Sequence, residues 1–137
     1  SLVMLLIIGV GCVFGYLGYY YKNNSLSASY SDQERYAENT RMTELVAEDC
    51  GLDEEDAVTI VESAYKKFLS DETTYTVAVY ALDRTALEQY DKDLDTIRGM
   101  SKSKAKKVAE DGVMTRVNTV TLVLNTKTGD VLQQSIK

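Results

Sequence analysis

The stretch that decides the fold is residues 113–136, VMTRVNTVTLVLNTKTGDVLQQSI. Its first part, 113–125, is rich in Val, Thr and Leu, and residues 131–136 form a second run of strand-like composition after a polar turn. Gly129, within that turn, is expected to adopt a positive φ. Two such runs joined by turn residues predict a β-hairpin, so we expect an antiparallel sheet at this end of the chain.

Three further elements are predicted immediately upstream of the hairpin. Residues 73–81 alternate β-branched and aromatic side chains, which indicates a strand. Residues 101–110 carry four lysines and predict a short helix or a mobile loop. Residues 83–98 predict a helix that is capped by Asp83 and buries one face, consisting of Leu87, Tyr90, Leu94 and Ile97.

Two more helices are predicted before that strand. The first begins at the capping-box sequence Ser31-Asp32-Gln33-Glu34 and ends near Cys50, before Gly51. Its apolar positions are Tyr36, Ala37, Met42, Leu45 and Val46. The second is expected over residues 53–69, with Val58, Val61, Ala64, Tyr65 and Phe68 at helical spacing. Together these elements predict an α+β head domain, a small antiparallel sheet covered by helices.

The N-terminal segment has a different composition. Residues 1–21 contain no charged side chain, whereas residues 22–137 contain every Lys, Arg, Asp and Glu. As a helix the segment would span roughly 31 Å, close to the hydrocarbon thickness of a bilayer. Its polar end carries Lys22 and an interfacial belt of tyrosines, namely Tyr16, Tyr19, Tyr20 and Tyr21. We therefore expect a transmembrane helix rather than a cleaved signal, which would begin with basic residues, or a buried helix of a globular core.

Glycines define an expected packing surface on this helix. Gly11 and Gly15 are four residues apart and share a face, which lets helix backbones approach closely in lipid. The alternative is that glycine is simply more common in membrane helices. The predicted helix-packing interface consists of Gly9, Gly11, Gly15, Gly18, Tyr16, Tyr19 and Tyr20.

Composition argues against several functional classes. The chain has no His and only two Cys, which excludes a Ser–His–Asp triad, His-ligated zinc and a four-thiolate cluster. Cys50 has no His as a base, and no disulfide with Cys12 is expected. The acids at 53–56 suit a helix N-terminus, and the calcium-like sequence at residue 91 has Thr96 where the loop needs Gly. We therefore expect no enzyme activity, no cofactor and no metal.

Charge is divided along the chain. Residues 31–100 carry 18 acids and 7 bases, net −11, and residues 101–137 carry 3 acids and 7 bases, net +4. The two parts could neutralise each other within one domain or pair head to tail between copies. The lysines could also contact an anionic membrane, but the overall charge of −6 makes nucleic acid an unexpected partner.

This layout resembles the type IV pilins and pseudopilins. The features that carry the resemblance are an apolar helix at the start of the chain, a tract without Pro from residue 1 to Gly51, and a small α+β head with a hairpin. In that family a peptidase removes a short leader, and the N-terminal helix first anchors the subunit and then forms a filament core. Ser1, Leu5 and Lys22 depart from the residues usual in the family, which has Glu in place of Leu5.

The resemblance implies a structural subunit of a cell-surface filament, exported and assembled by its N-terminal helix. The expected regions are a membrane or filament-core helix (1–22), a polar continuation or linker with a helix (23–51) and the α+β head (52–137). The expected partners are copies of the chain, with the lipid bilayer before assembly. The alternative is a single-pass accessory subunit of a membrane protein complex.

Overall fold

The computed structural model describes residues 31–137, so the predicted apolar helix of residues 1–22 and the segment 23–30 lie outside the described residues. Two 3₁₀ turns, Glu48–Cys50 and Glu54–Asp56, precede the first strand. The regular elements are α1 (Asp32–Val46), β1 (Ala57–Lys66), β2 (Glu72–Leu82), α2 (Arg84–Glu88), α3 (Leu94–Arg98), α4 (Lys102–Glu110), β3 (Met114–Asn125) and β4 (Val131–Ile136).

The four strands form one antiparallel sheet in the order β1-β2-β3-β4. Across its centre, Val61 lies opposite Val77 and Val77 lies opposite Val120. The predicted strand 73–81 and the predicted hairpin are confirmed as β2 and β3–β4, and Gly129 adopts a φ of +84° in the hairpin turn. The predicted α+β class with a helix-covered antiparallel sheet is thus confirmed for this part of the chain.

Helix α1 begins as a separate element at Ser31. The Ser31 hydroxyl accepts a hydrogen bond from the Glu34 amide (3.2 Å), and the Glu34 carboxylate accepts one from the Ser31 amide (3.0 Å). This is the predicted capping box. The Ser31 backbone is extended, with φ −73° and ψ 168°. The chain is therefore extended rather than helical at Ser31, immediately before α1.

The buried stripe of α1 differs from the predicted one. Met42 and Val46 are fully buried against the sheet, but Tyr36 and Ala37 are exposed. Polar Asn39 and Thr43 are buried in addition. The helix ends at Val46 rather than near Cys50, and the 3₁₀ turn then leads to Gly51, whose φ of +76° terminates the segment as predicted.

Each face of the sheet carries a buried cluster. Residues of one face, including Val61, Val77 and Val120, pack on α1. On the other face, Ile60 and Tyr80 belong to a second cluster with residues from α3, α4 and the turn between them, namely Ile97, Met100, Ala105 and Val108. Strand β1 is therefore covered from two sides, and five consecutive residues, 57–61, are buried.

The predicted helix over residues 53–69 is wrong, because this segment contains strand β1. Residues 58–61 are four consecutive β-branched side chains, which favour a strand over a helix. A strand buried on both faces has no polar–apolar alternation, so its apolar residues can match helical spacing by coincidence. The acids expected at a helix N-terminus lie instead at and around the 3₁₀ turn Glu54–Asp56.

The single helix predicted over residues 83–98 is also wrong, because two short helices occupy the segment. The Asp83 carboxylate caps α2 as predicted, accepting from the Ala86 amide (3.0 Å), but Asp93 caps a new helix, α3, by accepting from Thr96 (2.8 Å). Of the predicted buried face, Ile97 is fully buried, while Leu87, Tyr90 and Leu94 are half-buried against the second cluster. The lysine-rich segment 101–110 is helical, as α4.

A buried polar network joins α1, β1 and α3 at the outer edge of β1. The Asn39 side chain donates to the carbonyls of Arg98 (2.8 Å) and Met100 (3.3 Å) and accepts from the Val61 amide (2.9 Å). The Thr59 hydroxyl donates to the Asn39 carbonyl (2.6 Å). Because Asn39 is fully buried, each of these partners depends on it in place of water.

Replacing Asn39 with Leu is expected to lower the free energy of unfolding by roughly 2–4 kcal/mol, because the Val61 amide and two carbonyls lose their partner in a buried site. Urea denaturation of the full chain in detergent, monitored by circular dichroism, measures this change in the free energy of unfolding. The matched control is Gln33→Ala, which removes an exposed amide from the same helix. Equal stability of the two variants would contradict the importance of the network.

Candidate functional site

An open groove of about 760 Å³ lies between the first turn of α1 and helices α3 and α4. Gly99 lies beside the first turn of α1, and a Cβ there would be in ordinary van der Waals contact, 3.4 Å from the Asp32 carbonyl oxygen and 3.5 Å from Tyr36 Cβ. The Tyr36 hydroxyl lies 3.4 Å from the Asp95 carboxylate across the groove. Met100 and Val108 contribute apolar lining.

In one wall of the groove, four polar or charged side chains contact one another in series. The Tyr90 hydroxyl donates to Asp111 (2.6 Å), whose carboxylate also lies 3.4 Å from the Lys107 ammonium. The Lys92 ammonium lies 5.4 Å from the centre of the Tyr90 ring. The hydrogen bond to Asp111 is the main reason that the pKa of Tyr90 rises to about 12, and the same bond lowers the pKa of Asp111. Near neutral pH the phenol thus remains a hydrogen-bond donor, suited to holding the wall in place.

A second charged contact joins the acidic and basic parts of the chain. The Arg116 guanidinium on β3 makes two parallel hydrogen bonds to Glu62 of β1, at 3.0 and 2.9 Å. Glu62 is at the bulge where the β1–β2 register shifts between Val61 and Ser63. Part of the neutralisation considered from the sequence thus occurs within the head.

The acidic and thiol groups show no assembled chemical site within residues 31–137. No group of three or more Cys, Asp or Glu side chains in this range is placed to hold a metal ion. Asp56, from the acidic run, pairs with Arg84 at 2.7 Å. The Cys50 thiol is half-buried, and burial, followed by the charge of Asp49, raises its pKa, which disfavours the nucleophilic thiolate.

The edge strand β4 is exposed along its whole length. Its apolar residues Val131, Leu132 and Ile136 are 41%, 48% and 38% exposed. Sequence reasoning predicted the hairpin but missed this exposure, because the composition of β4 is that of an ordinary strand. One feature of the sequence could have indicated an exposed strand: residues 131–136 carry no charge although they follow a polar turn.

The helix-packing residues predicted from the sequence all precede residue 31 and lie outside the described residues. They are Gly9, Gly11, Gly15, Gly18, Tyr16, Tyr19 and Tyr20. Between residues 31 and 137 there is no helix with the length and apolar character needed to cross a bilayer. Comparison with models of protein families, with curated proteins and with solved structures gave no match.

Replacing Tyr90 with Phe is expected to raise the pKa of Asp111 towards the ordinary value of 3.8, because the carboxylate loses its strongest donor. Since the folded-state pKa is lowered, the hydrogen bond stabilises the fold fully above about pH 4, and this contribution is lost as the pH falls through the lowered pKa. Carboxyl-carbon NMR titration of the full chain measures the shift. Tyr36→Phe, at the other side of the groove, should leave Asp111 unchanged, and an unchanged Asp111 in both variants would contradict the assignment.

Proposed function

We propose that this chain is a single-pass subunit of a membrane protein assembly, with residues 1–22 as its anchor and the α+β head as its contact domain outside the membrane. The observation that carries the proposal is the capping box at Ser31, which starts α1 as a separate helix. In this proposal residues 23–30 link the anchor to a head whose first helix has its own N-cap. Such a division is typical of a tethered domain rather than of one rigid rod.

The composition of residues 1–21 supports the anchoring role. The segment is long enough to span a bilayer, carries no charge, and ends in tyrosines followed by Lys22. Gly11 and Gly15 would give the anchor a flat face for contact with a neighbouring membrane helix. An anchor that serves only as a tether has no need of such a face, so the glycines favour an assembled subunit.

The surface of the head supports a role in protein contacts. The groove combines apolar lining with the charges of Lys107 and Asp111, which suits a polar protein segment better than a lipid or a nucleic acid. Strand β4 adds exposed backbone and apolar side chains on another side of the head. The proposed location of the head is the exported side of the membrane, at the cell surface.

A second candidate function is a structural subunit of a type IV pilus-like filament. The division of charge favours it, since a net −11 part followed by a net +4 part suits head-to-tail contacts between copies. In that assembly the anchor would leave the bilayer and become the filament core. The heads would then cover the outside, each attached through residues 23–30.

Changing Gly11 and Gly15 together to Ile in the full chain is expected to reduce the yield of the assembled complex at least tenfold, because the added side chains separate the helix backbones. The variant should stay in the membrane fraction after an alkaline wash. Solubilisation in mild detergent followed by native sizing measures the complex, and Val13→Ile, on another face of the helix, is the control.

Two results separate the candidates, and a third would overturn both. A discrete complex that contains other chains supports the accessory subunit, whereas open-ended self-association and labelled filaments in sheared material support the filament. Release of the unaltered chain from membranes by the alkaline wash would overturn both, because each requires the anchor.

A further inference from the structure

We propose that β4 pairs with β4 of a second copy of this chain, in antiparallel orientation about a two-fold axis at Gln134, to form one continuous eight-stranded sheet. The inference goes beyond the proposed function, since it names a partner surface and a register that either kind of assembly could contain. It is carried by the exposed residues of β4, by the direction of its backbone groups and by the charges at its two ends.

The two edge strands of the sheet, β1 and β4, differ in whether side chains bind their outward backbone groups. At β1 the Asn39 side chain accepts from the Val61 amide, and the Arg98 guanidinium donates to the Ala57 carbonyl (3.1 Å). No comparable cover lies over β4 within residues 31–137, where all six of its residues are exposed. Its sequence, VLQQSI, also lacks the charged residues and proline that usually protect an outer strand.

The backbone of β4 presents hydrogen-bonding groups to the outside. Lys137 exchanges two hydrogen bonds with Thr119 of β3, at 3.1 and 2.9 Å. Because antiparallel strands alternate, the amide and carbonyl groups of Ser135 and Gln133 also face β3, and those of Gln134 and Ile136 face away from it. A register shift near Leu132 lies at the start of the strand and leaves residues 133–137 regular.

Symmetry then restricts the register. Directly opposed residues of an antiparallel pair point to the same face of the sheet, so a two-fold axis perpendicular to the sheet must pass through a residue position. An axis at Gln134 lies at the centre of residues 131–137, so the paired segment includes the whole strand. It places Gln134 opposite Gln134 of the second copy, where both present outward groups, and it places Leu132 opposite Ile136 of the second copy.

Charge complementarity selects a second copy in this orientation. Asp130 precedes β4 and Lys137 follows it, and both are exposed. Antiparallel pairing brings Lys137 of each copy beside Asp130 of the other, which makes two favourable contacts at the ends of the shared strand pair. Parallel pairing would instead bring like charges together.

Cysteine cross-linking in the full chain in detergent tests the register, in a Cys12→Ser, Cys50→Ser background. Directly opposed residues that exchange hydrogen bonds, as Gln134 would with its counterpart, have Cα atoms about 5.5 Å apart, which is within the range of a disulfide. Gln134→Cys is therefore expected to give a disulfide-linked dimer in high yield under mild oxidation. Leu132→Cys alone should give at least tenfold less, because the two copies of that residue would be roughly 14 Å apart. Leu132→Cys with Ile136→Cys should restore the yield.

A matched pair of substitutions tests the role of the backbone. In the Leu132→Cys, Ile136→Cys chain, Gln134→Pro should abolish the cross-link because it removes an outward amide, and Gln134→Ala should retain it. Both changes remove the hydrogen bond from the Gln134 side chain to Asp49 (2.8 Å), so the two variants differ in the outward amide and in the ring by which proline fixes φ. Circular dichroism checks that both variants are folded.

Several outcomes would overturn the proposal. They are equal cross-linking of Gln134→Cys and Leu132→Cys, capture of a different protein in place of a second copy, and equal yields for the proline and alanine variants. The Gly11→Ile, Gly15→Ile change should leave the cross-link of Gln134→Cys in place. Failure of β4 pairing is thereby distinguished from failure of the membrane assembly.

Discussion

The structure depends most on the buried side chain of Asn39. From α1 it binds backbone groups of β1, of the last residue of α3 and of Met100 just beyond α3, so the position of α1, the outer edge of β1 and the end of α3 are set by one amide. Hydrophobic contact alone would hold α1 against the sheet but would tolerate sliding, since dispersion and burial have little directional preference. The Asn39 hydrogen bonds require one position, and Thr59 and Thr43 extend the network with a hydroxyl contact of 2.6 Å. Because α3 is fixed by this network, the groove between α1, α3 and α4 depends on it as well.

Local chemistry made part of this fold predictable from the sequence. The capping box at Ser31, the N-cap at Asp83, the left-handed glycines and the β3–β4 hairpin are each decided by residues close together in the chain. Strand β1 was mistaken for a helix because its environment is decided by distant elements. Because α1 covers one face and α3 and α4 cover the other, every side chain from 57 to 61 is buried and is either apolar or hydrogen-bonded. The alternation of polar and apolar residues that usually identifies a strand is therefore absent.

The groove and the polar network were beyond sequence reasoning for a related reason. The partners of Asn39 are backbone atoms 22, 59 and 61 residues away, and no side-chain pattern marks them. Tyr90 and Asp111 are 21 residues apart and meet only because the predicted helix 83–98 is broken before Asp93 and the chain turns back through α4. The predicted packing glycines precede the described residues, so that expectation continues as part of the proposed function.

The side chains that cover the β1 edge, and the lack of such cover on β4 in the described part of the chain, have a consequence for stoichiometry. A subunit with two open edges could add copies without limit, as a growing fibre does. Here one edge is occupied by Asn39 and Arg98, so each head has a single edge to offer, and an isologous contact through it closes at two copies. Larger numbers of subunits must then come from another surface, and the natural repeating unit of any such array would be a pair of heads.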